Sequence, residues 1–446
     1  MSNIVSNLKS LWTQGKFNWL FQLIVIFTVG LSLAIVGCGE DDNDREGDGD
    51  VTVGEVIVVQ GVIVEDQTLT ADNEYLLRGA VKVQDGVTLT IEPGATIYGE
   101  SSTNGTLIIA QGAKIMADGT ADAPIIMTSD KLEGSRARGQ WGGLIINGKA
   151  PTNHEVDAFG EGNTGAFGGN NPNDNSGVLR YVRVEYAGVE FSPDNELNGI
   201  ALQGVGSGTV IEYVQVHMNQ DDGIEMFGGT VDLKYALVTG ARDDSFDWTN
   251  GWTGKGQFWV AQQYGDDADN GFENDNSDDN NEALPRSEPT IFNVTLIGDP
   301  AGPKSDNGML IREGAAGMYA NLIVTGFNKV GLDVNTLSSH EQANNGGLVV
   351  KNSIFFENGK ANFGDEKEDD GFDEAAWAKG LGNVEKDPNL AAPFNKDNPN
   401  FTPSSGTSSV TPSTPPSDSF FDSVNFIGGV DPANDWTIGW TTSARN

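Results

Sequence analysis

One unit recurs down this chain with a spacing that few folds can use. The segments "VLRYVRVEYAG" from Val178, "VIEYVQVHMNQ" from Val210, "VDLKYALVTGA" from Val231, "TIFNVTLIGD" from Thr290, "GMYANLIVTGF" from Gly317 and "LVVKNSIFFENG" from Leu348 are variants of one strand. A second element, a turn glycine followed by alternating apolar residues, accompanies them: "NGIAL" at Asn198, "DGIEM" at Asp222, "DSFDW" at Asp244, "NGFEN" at Asn270, "NGMLI" at Asn307 and "VGLDV" at Val330. Aligned on the glycine, or on Ser245 in the third copy, these stand 24, 22, 26, 37 and 23 residues apart. Shorter units of the same kind precede them, "GVTLTIEPGATIYGE" from Gly86 and "NGTLIIAQGAKIMADG" from Asn104. No such unit can bury a face alone, so the units must stack. A period in the low twenties, divided into short strands, is one rung of a solenoid. Leucine-rich repeats share the period but need a Leu-x-x-Leu-x-Leu pattern that is absent here. The expected fold is therefore all-β, a right-handed parallel β-helix with a short helical insertion and a C-terminal cap.

Alternation within the second element then sorts its residues. Ile200, Ile224, Phe246, Phe272, Met309 and Leu332 should point inward, and the residue after each should form an outward column: Ala201, Glu225, Asp247, Glu273, Leu310, Asp333. A second column at the turn reads Asn198, Asp222, Asp244, Asn270, Asn307, Val330. Asn and Asp accept bonds from nearby amides and tolerate tight turns, so a stack of identical turns would select them without any chemistry. The outward acids are harder to explain by structure alone. Stacked carboxylates about 5 Å apart repel by roughly 0.8 kcal/mol in water and by more near a protein surface. Arg242, Lys234 and Lys255 are the nearby bases, a shared proton is another remedy, and Ca²⁺, which takes six to eight oxygen ligands, is a third. The candidate calcium ligands are Asp221, Glu225, Asp243, Asp247 and Glu273, and the loop from Tyr264 to Pro285 adds further oxygen donors. The same region holds the candidates for glycosidic acid–base chemistry: Asp222, Asp243, Asp244, Glu225 and Asp247.

The ends of the chain carry different signals. Lys9 and Lys16 precede the apolar run Trp19–Gly37, which stops at Cys38 before the acidic stretch "GEDDNDREGDGD". That order is the order of a secretory signal, and "IVGC" resembles a bacterial lipobox, which implies lipid at Cys38, the chain's one cysteine. An uncleaved membrane-spanning helix of the same run is the competing reading. With no second cysteine there can be no intrachain disulfide. The expected organisation is a signal peptide over 1–37, an acidic tether over 38–53, the β-helix over 54–365, a partly helical insertion over 366–400, and a Pro/Ser-rich segment with a C-terminal cap over 401–446. In that last part Phe420, Phe421, Phe426, Trp436 and Trp440 would cover apolar surface, or offer a platform for sugars. Localisation follows as an outer-membrane lipoprotein facing outward, with the membrane as one partner and an extracellular glycan or surface protein as another.

Charge removes one class of function. Asp and Glu number 64 against 26 Lys and Arg, a net charge of −38, so nucleic acid is not an expected partner. No nucleophile elbow, P-loop, zinc spacing or dinucleotide fingerprint is present.

Two resemblances add to this reading. "NQDD" and "RDDS", 22 residues apart, superficially resemble the paired-aspartate motifs of polygalacturonase-type glycoside hydrolases, which share the β-helix fold. The Gly-His-Gly and Arg-Ile-Lys motifs of that family are missing, since His154, His217 and His340 stand in other settings and "MLIRE" around Arg312 is a poor match. More of the chain is similar to a widespread group of secreted or lipid-anchored bacterial β-helix proteins, through "GQWGGLIINGKAPTN", "DDGIEMFGGTVDLKYALV", "DDSFDWTNGWTGKGQFW", "NGFENDN" and "DWTIGWT". That resemblance implies a fold and a location and carries over no catalytic residue. The function expected from all this is non-enzymatic binding or adhesion at the cell surface, with a carbohydrate-active enzyme, a glycoside hydrolase or polysaccharide lyase using stacked carboxylates on neighbouring rungs, as the alternative.

Overall fold

The computed structural model describes residues 56–154, 159–192, 195–364, 371–404 and 410–446. The signal run, Cys38 and the acidic tether lie outside the described residues. Among the described residues, 24 parallel strands form one continuous sheet wound into a solenoid.

Each rung has three short strands. One face is built from Ile200–Gln203, Ile224–Phe227, Phe246–Thr249, Phe272–Asn274, Met309–Ile311 and Asp333–Val334, paired in that order. The other two faces share longer strands, among them Val210–His217, Asp232–Thr239 and Lys255–Gln262, each bent at one residue. The bend is a column of left-handed residues: Tyr181, Tyr213, Tyr235, Phe258, Asn293 and Asn321 all have φ between 49° and 62°. Bulky side chains rarely adopt this conformation, and stacking offsets its cost, because the rings of Tyr181, Tyr213, Tyr235 and Phe258 lie face to face at 4.2–4.9 Å.

The register matches the sequence reading residue for residue. Ile200, Ile224, Phe246, Phe272, Met309 and Leu332 are all buried in one core, and Ala201, Glu225, Asp247, Glu273, Leu310 and Asp333 pair in an unbroken outward row. The turn glycines have a steric reason rather than a torsional one. A Cβ on Gly223 would stand 2.5 Å from the Ser245 carbonyl oxygen of the next rung, and one on Gly271 would stand 2.6 Å from that of Gly308.

Two features differ from expectation. Helix was expected after residue 365 alone, and Glu374–Gly380 is there, but a second helix, Leu337–Asn345, stands before it. Its sequence "LSSHEQANN" carries no apolar stripe to reveal it, and it buries only Ser339, His340 and Ala343. The C-terminal segment covers the flank of the solenoid. Phe372, Ala375 and Trp377, in and beside the helix Glu374–Gly380, pack against the core. Residues 410–446 instead run back over the bent strands towards the N-terminal rungs. Val410 and Ile427 meet Ile323 and Ile354, Phe421 meets Phe292, Val430 meets Val260, and Trp440 reaches Tyr181. The C-terminal aromatics are thus spent on packing rather than presented as a sugar platform.

This strap is gripped by side-chain amides that act like a neighbouring strand. Gln215 bonds both the N–H and the C=O of Thr442, Gln257 does the same for Asp422, and Asn321 for Ser413, all at 2.7–2.9 Å. His217 closes the far end, fully buried, with Nε2 donating to the Ala444 carbonyl at 2.8 Å and Nδ1 accepting from Thr239 Oγ1. Burial lowers its pKa to about 4, which keeps it neutral.

Candidate functional site

The face that carries the acids is half covered. Over its N-terminal rungs, Phe167 and Leu197, from the connections on either side of the strand Gly177–Glu185, pack on Ile108, Ile145, Ala201 and Phe227. Beyond Phe227 the outward row turns acidic, and there the carboxylates gather.

The turn column is structural first. Asp222 Oδ1 accepts the Asp244 backbone N–H at 2.9 Å, Asp244 Oδ1 accepts that of Asn270 at 2.5 Å, and Asn270 Oδ1 accepts the Asn307 side-chain amide at 3.0 Å. Each acid ties one rung to the next. The Asn members also reach the outward row, Asn198 donating to Glu225 and Asn270 to Glu273.

Four groups of three carboxylates have oxygens within 4.8 Å of one another: Asp221, Asp222 and Asp243; Asp222, Glu225 and Asp247; Asp243, Asp244 and Asp269; Asp244, Asp247 and Glu273. The third group is the first moved by one rung, and the fourth is the second moved likewise. All the sequence-derived candidates are brought together, and Asp269 joins them. Asp222, Asp244 and Glu225 are buried, Asp221, Asp247, Asp269 and Glu273 are partly so, and Asp243 is exposed.

Its electrostatics are unfavourable as they stand. Unit charges 4.8 Å apart repel by about 0.9 kcal/mol in water and by about 3.5 at an effective dielectric near 20. Burial, followed by the neighbouring carboxylates, holds the pKa values of Asp222, Asp244 and Asp247 well above the normal range. Burial likewise pushes Glu273 and Asp269 up to about 7, with Asp306 hydrogen-bonded to Asp269. Asp247 Oδ1 is shielded from solvent and accepts no hydrogen bond.

Of the bases expected from sequence, Arg242 acts on the ladder: burial raises the pKa of Asp243, and the charge of Arg242 draws it down. Arg242 pairs with Asp267, Lys234 with Asp422 of the strap, and Lys255 with Asp232 and Asp418. Arg312 is the guanidinium that reaches the ladder, holding Asp275 through Nε and Nη2 at 2.9 Å and Glu273 through Nη2. Sequence reading passed over it because it was judged against a hydrolase motif. Its place two residues after Leu310 on the outward row was the usable signal.

Residues 61–407 match the family model described as a pectate-lyase-like β-helix domain. The chain belongs to this family. Searches of curated proteins and of solved structures returned no match. The pectate-lyase-like domain contains every residue of the ladder, together with Arg312, whereas the strap from Val410 onward lies beyond it. Family membership accounts for the winding of the chain. What the ladder does must come from its own geometry.

Proposed function

We propose that the protein is a lipid-anchored, outward-facing binding protein whose ladder holds divalent cations, Ca²⁺ by the chemistry of the donors, at a surface that meets extracellular glycan or another surface component. The recurrence of close carboxylate triads from rung to rung carries this reading. Oxygens within 4.8 Å of each other suit an ion that sits about 2.3–2.6 Å from each ligand. An acid–base pair needs two carboxyl groups flanking a sugar, about 5–5.5 or 6.5–9.5 Å apart, and has no use for a third and fourth within the same reach. The unpaired Asp247 Oδ1 supplies a ligand atom with no other partner. Asp221, Glu225, Asp243, Asp247 and Glu273 would hold the ions, with Asp222, Asp244 and Asp269 beside them.

A second reading, glycoside hydrolysis, has one observation in its favour: Glu273 and Asp269, pushed to about 7, could donate protons near neutrality. One experiment separates the two. The protein is applied to a glycan array with calcium and with chelator, while reducing-sugar release and unsaturated-uronate absorbance are followed on the polysaccharides it binds. Calcium-dependent binding without product supports the binding protein. Product formation that is lost in Asp247→Asn would establish the enzyme instead.

A further inference from the structure

Four of the chain's ten arginines line one cavity of about 410 Å³, in a protein where acids outnumber bases 64 to 26. They come from three separate segments. Arg136 and Arg138 belong to the loop after the strand Ile125–Ser129, Arg242 follows Asp232–Thr239 and directly precedes Asp243 of the ladder, and Arg445 ends the strap. Two acids of the same wall, Asp266 and Asp267, follow Lys255–Gln262. The position of Arg445 is fixed by its neighbour. The Ala444 carbonyl accepts from both His217 Nε2 and the Tyr186 hydroxyl, so two side chains of the bent strands clamp the end of the strap beside the cavity.

These guanidinium groups are unequally spent. Arg138 uses all three nitrogens, Nε on the Gly240 carbonyl and both Nη on Asp266, at 2.6–3.1 Å. Arg242 places Nε and Nη2 on one oxygen of Asp267, which leaves Nη1. Arg445 meets Asp397 through Nη2 at 2.8 Å, which leaves Nε and Nη1. Arg136 gives only its Nε, to the Lys131 carbonyl, and pairs with no carboxylate among the described residues. Three arginines are thus matched by one carboxylate each, and one is unmatched. Guanidinium N–H groups held on a cavity wall are the chemistry of oxyanion recognition. One unmatched charge suits a monoanion, and donors from three segments suit an acceptor with oxygens on three sides. A carboxylate or a phosphodiester presents two free oxygens. A phosphate monoester carries about −1.5 to −2 charges near neutrality, which Asp266 and Asp267 in the wall oppose. A sulfate ester has three terminal oxygens and a single charge. We infer that the cavity lined by Arg136, Arg242 and Arg445 binds the sulfate ester of a sulfated sugar. The inference takes from the proposed function only that the ligand is a glycan, and it needs no cation in the ladder.

The test uses the full chain, stripped with chelator, and four forms of one sugar that differ at the exocyclic carbon: galactose, its sulfate ester, its phosphate ester and galacturonate. Saturation-transfer NMR should show saturable binding of the sulfate ester, with the other three at least tenfold weaker. Arg136→Gln and Arg445→Gln should each weaken it at least tenfold. Arg136 is partly exposed and Arg445 exposed, so both variants should fold, and matching circular dichroism and melting curves will check it. Lys379→Gln, which removes a surface charge on the helix Glu374–Gly380, should leave affinity within twofold. Absence of saturable binding would overturn the proposal, as would indifference to Arg136→Gln or equal binding of galacturonate or the phosphate ester. Binding that appears only with calcium and is lost in Asp247→Asn would give the sugar to the ladder and overturn it too. Sulfate binding that persists in chelator upholds the inference whether or not the ladder takes calcium, so the two readings fail separately.

Discussion

At the scale of single residues, Asp222, Asp243, Asp244, Asp247, Asp269 and Glu273 of the ladder are groups whose folded-state proton affinity exceeds their unfolded one. An acid with a raised pKa stabilises the fold below its unfolded pKa and loses that contribution as pH rises through its folded pKa. For Glu273, raised from 4.5 to about 7, the window is pH 4.5 to 7 and the amount about 3 kcal/mol. His217 works in the opposite direction, costing stability as pH falls from 6.5 towards about 4. Chelator-treated protein should therefore lose stability between pH 5 and pH 8, and Glu273→Gln should recover about 1–3 kcal/mol of it in denaturant unfolding. An unchanged difference between the two pH values would contradict this. The side chains involved were legible in sequence because alternation within the second element, aligned on its turn residue in each copy, places Glu225, Asp247 and Glu273 on one outward row. Arg312 was not, since a 37-residue interval separates its rung from the one before. Asp269 was legible as the counterpart of Asp221 and Asp243 one residue before the turn column, but was counted with the acidic loop from Tyr264 to Pro285.

At the scale of elements, strands were legible and the contacts of irregular segments were not. A strand's partner is the next copy of itself, so the repeat that reveals a strand also gives its register. The strap repeats nothing. Its Pro and Ser residues announce an extended chain, but Gln215, Gln257 and Asn321 look in sequence like any outward polar residue. Their role is to replace a missing strand. Removing one amide leaves the backbone N–H and C=O of a strap residue unpaired, at a cost of about 1–3 kcal/mol. Gln257→Ala should speed hydrogen exchange at Asp422 and protease cleavage nearby, with the main unfolding transition little moved. Loss of the whole transition would mean that the strap and the solenoid fold as one unit.

At the scale of the whole molecule, the proposed function combines a lipid anchor at Cys38 with the acidic ladder of the solenoid. Lipidation at Cys38 predicts that Cys38→Ser moves the protein from membranes to the soluble fraction; retention would point to an uncleaved helix. The central claim concerns what the column holds. Burying this many carboxylates within reach of each other is tolerable when an ion shares them, and an ion bound one hundred times above its dissociation constant adds about 2.7 kcal/mol of stability. Isothermal calorimetry of calcium into chelator-stripped full-length protein tests this most directly. The account predicts saturable binding, a raised melting temperature, and loss of both in Asp247→Asn. Identical melting curves with calcium and chelator, and no heat of binding, would contradict it and leave the ladder as a stack of turns.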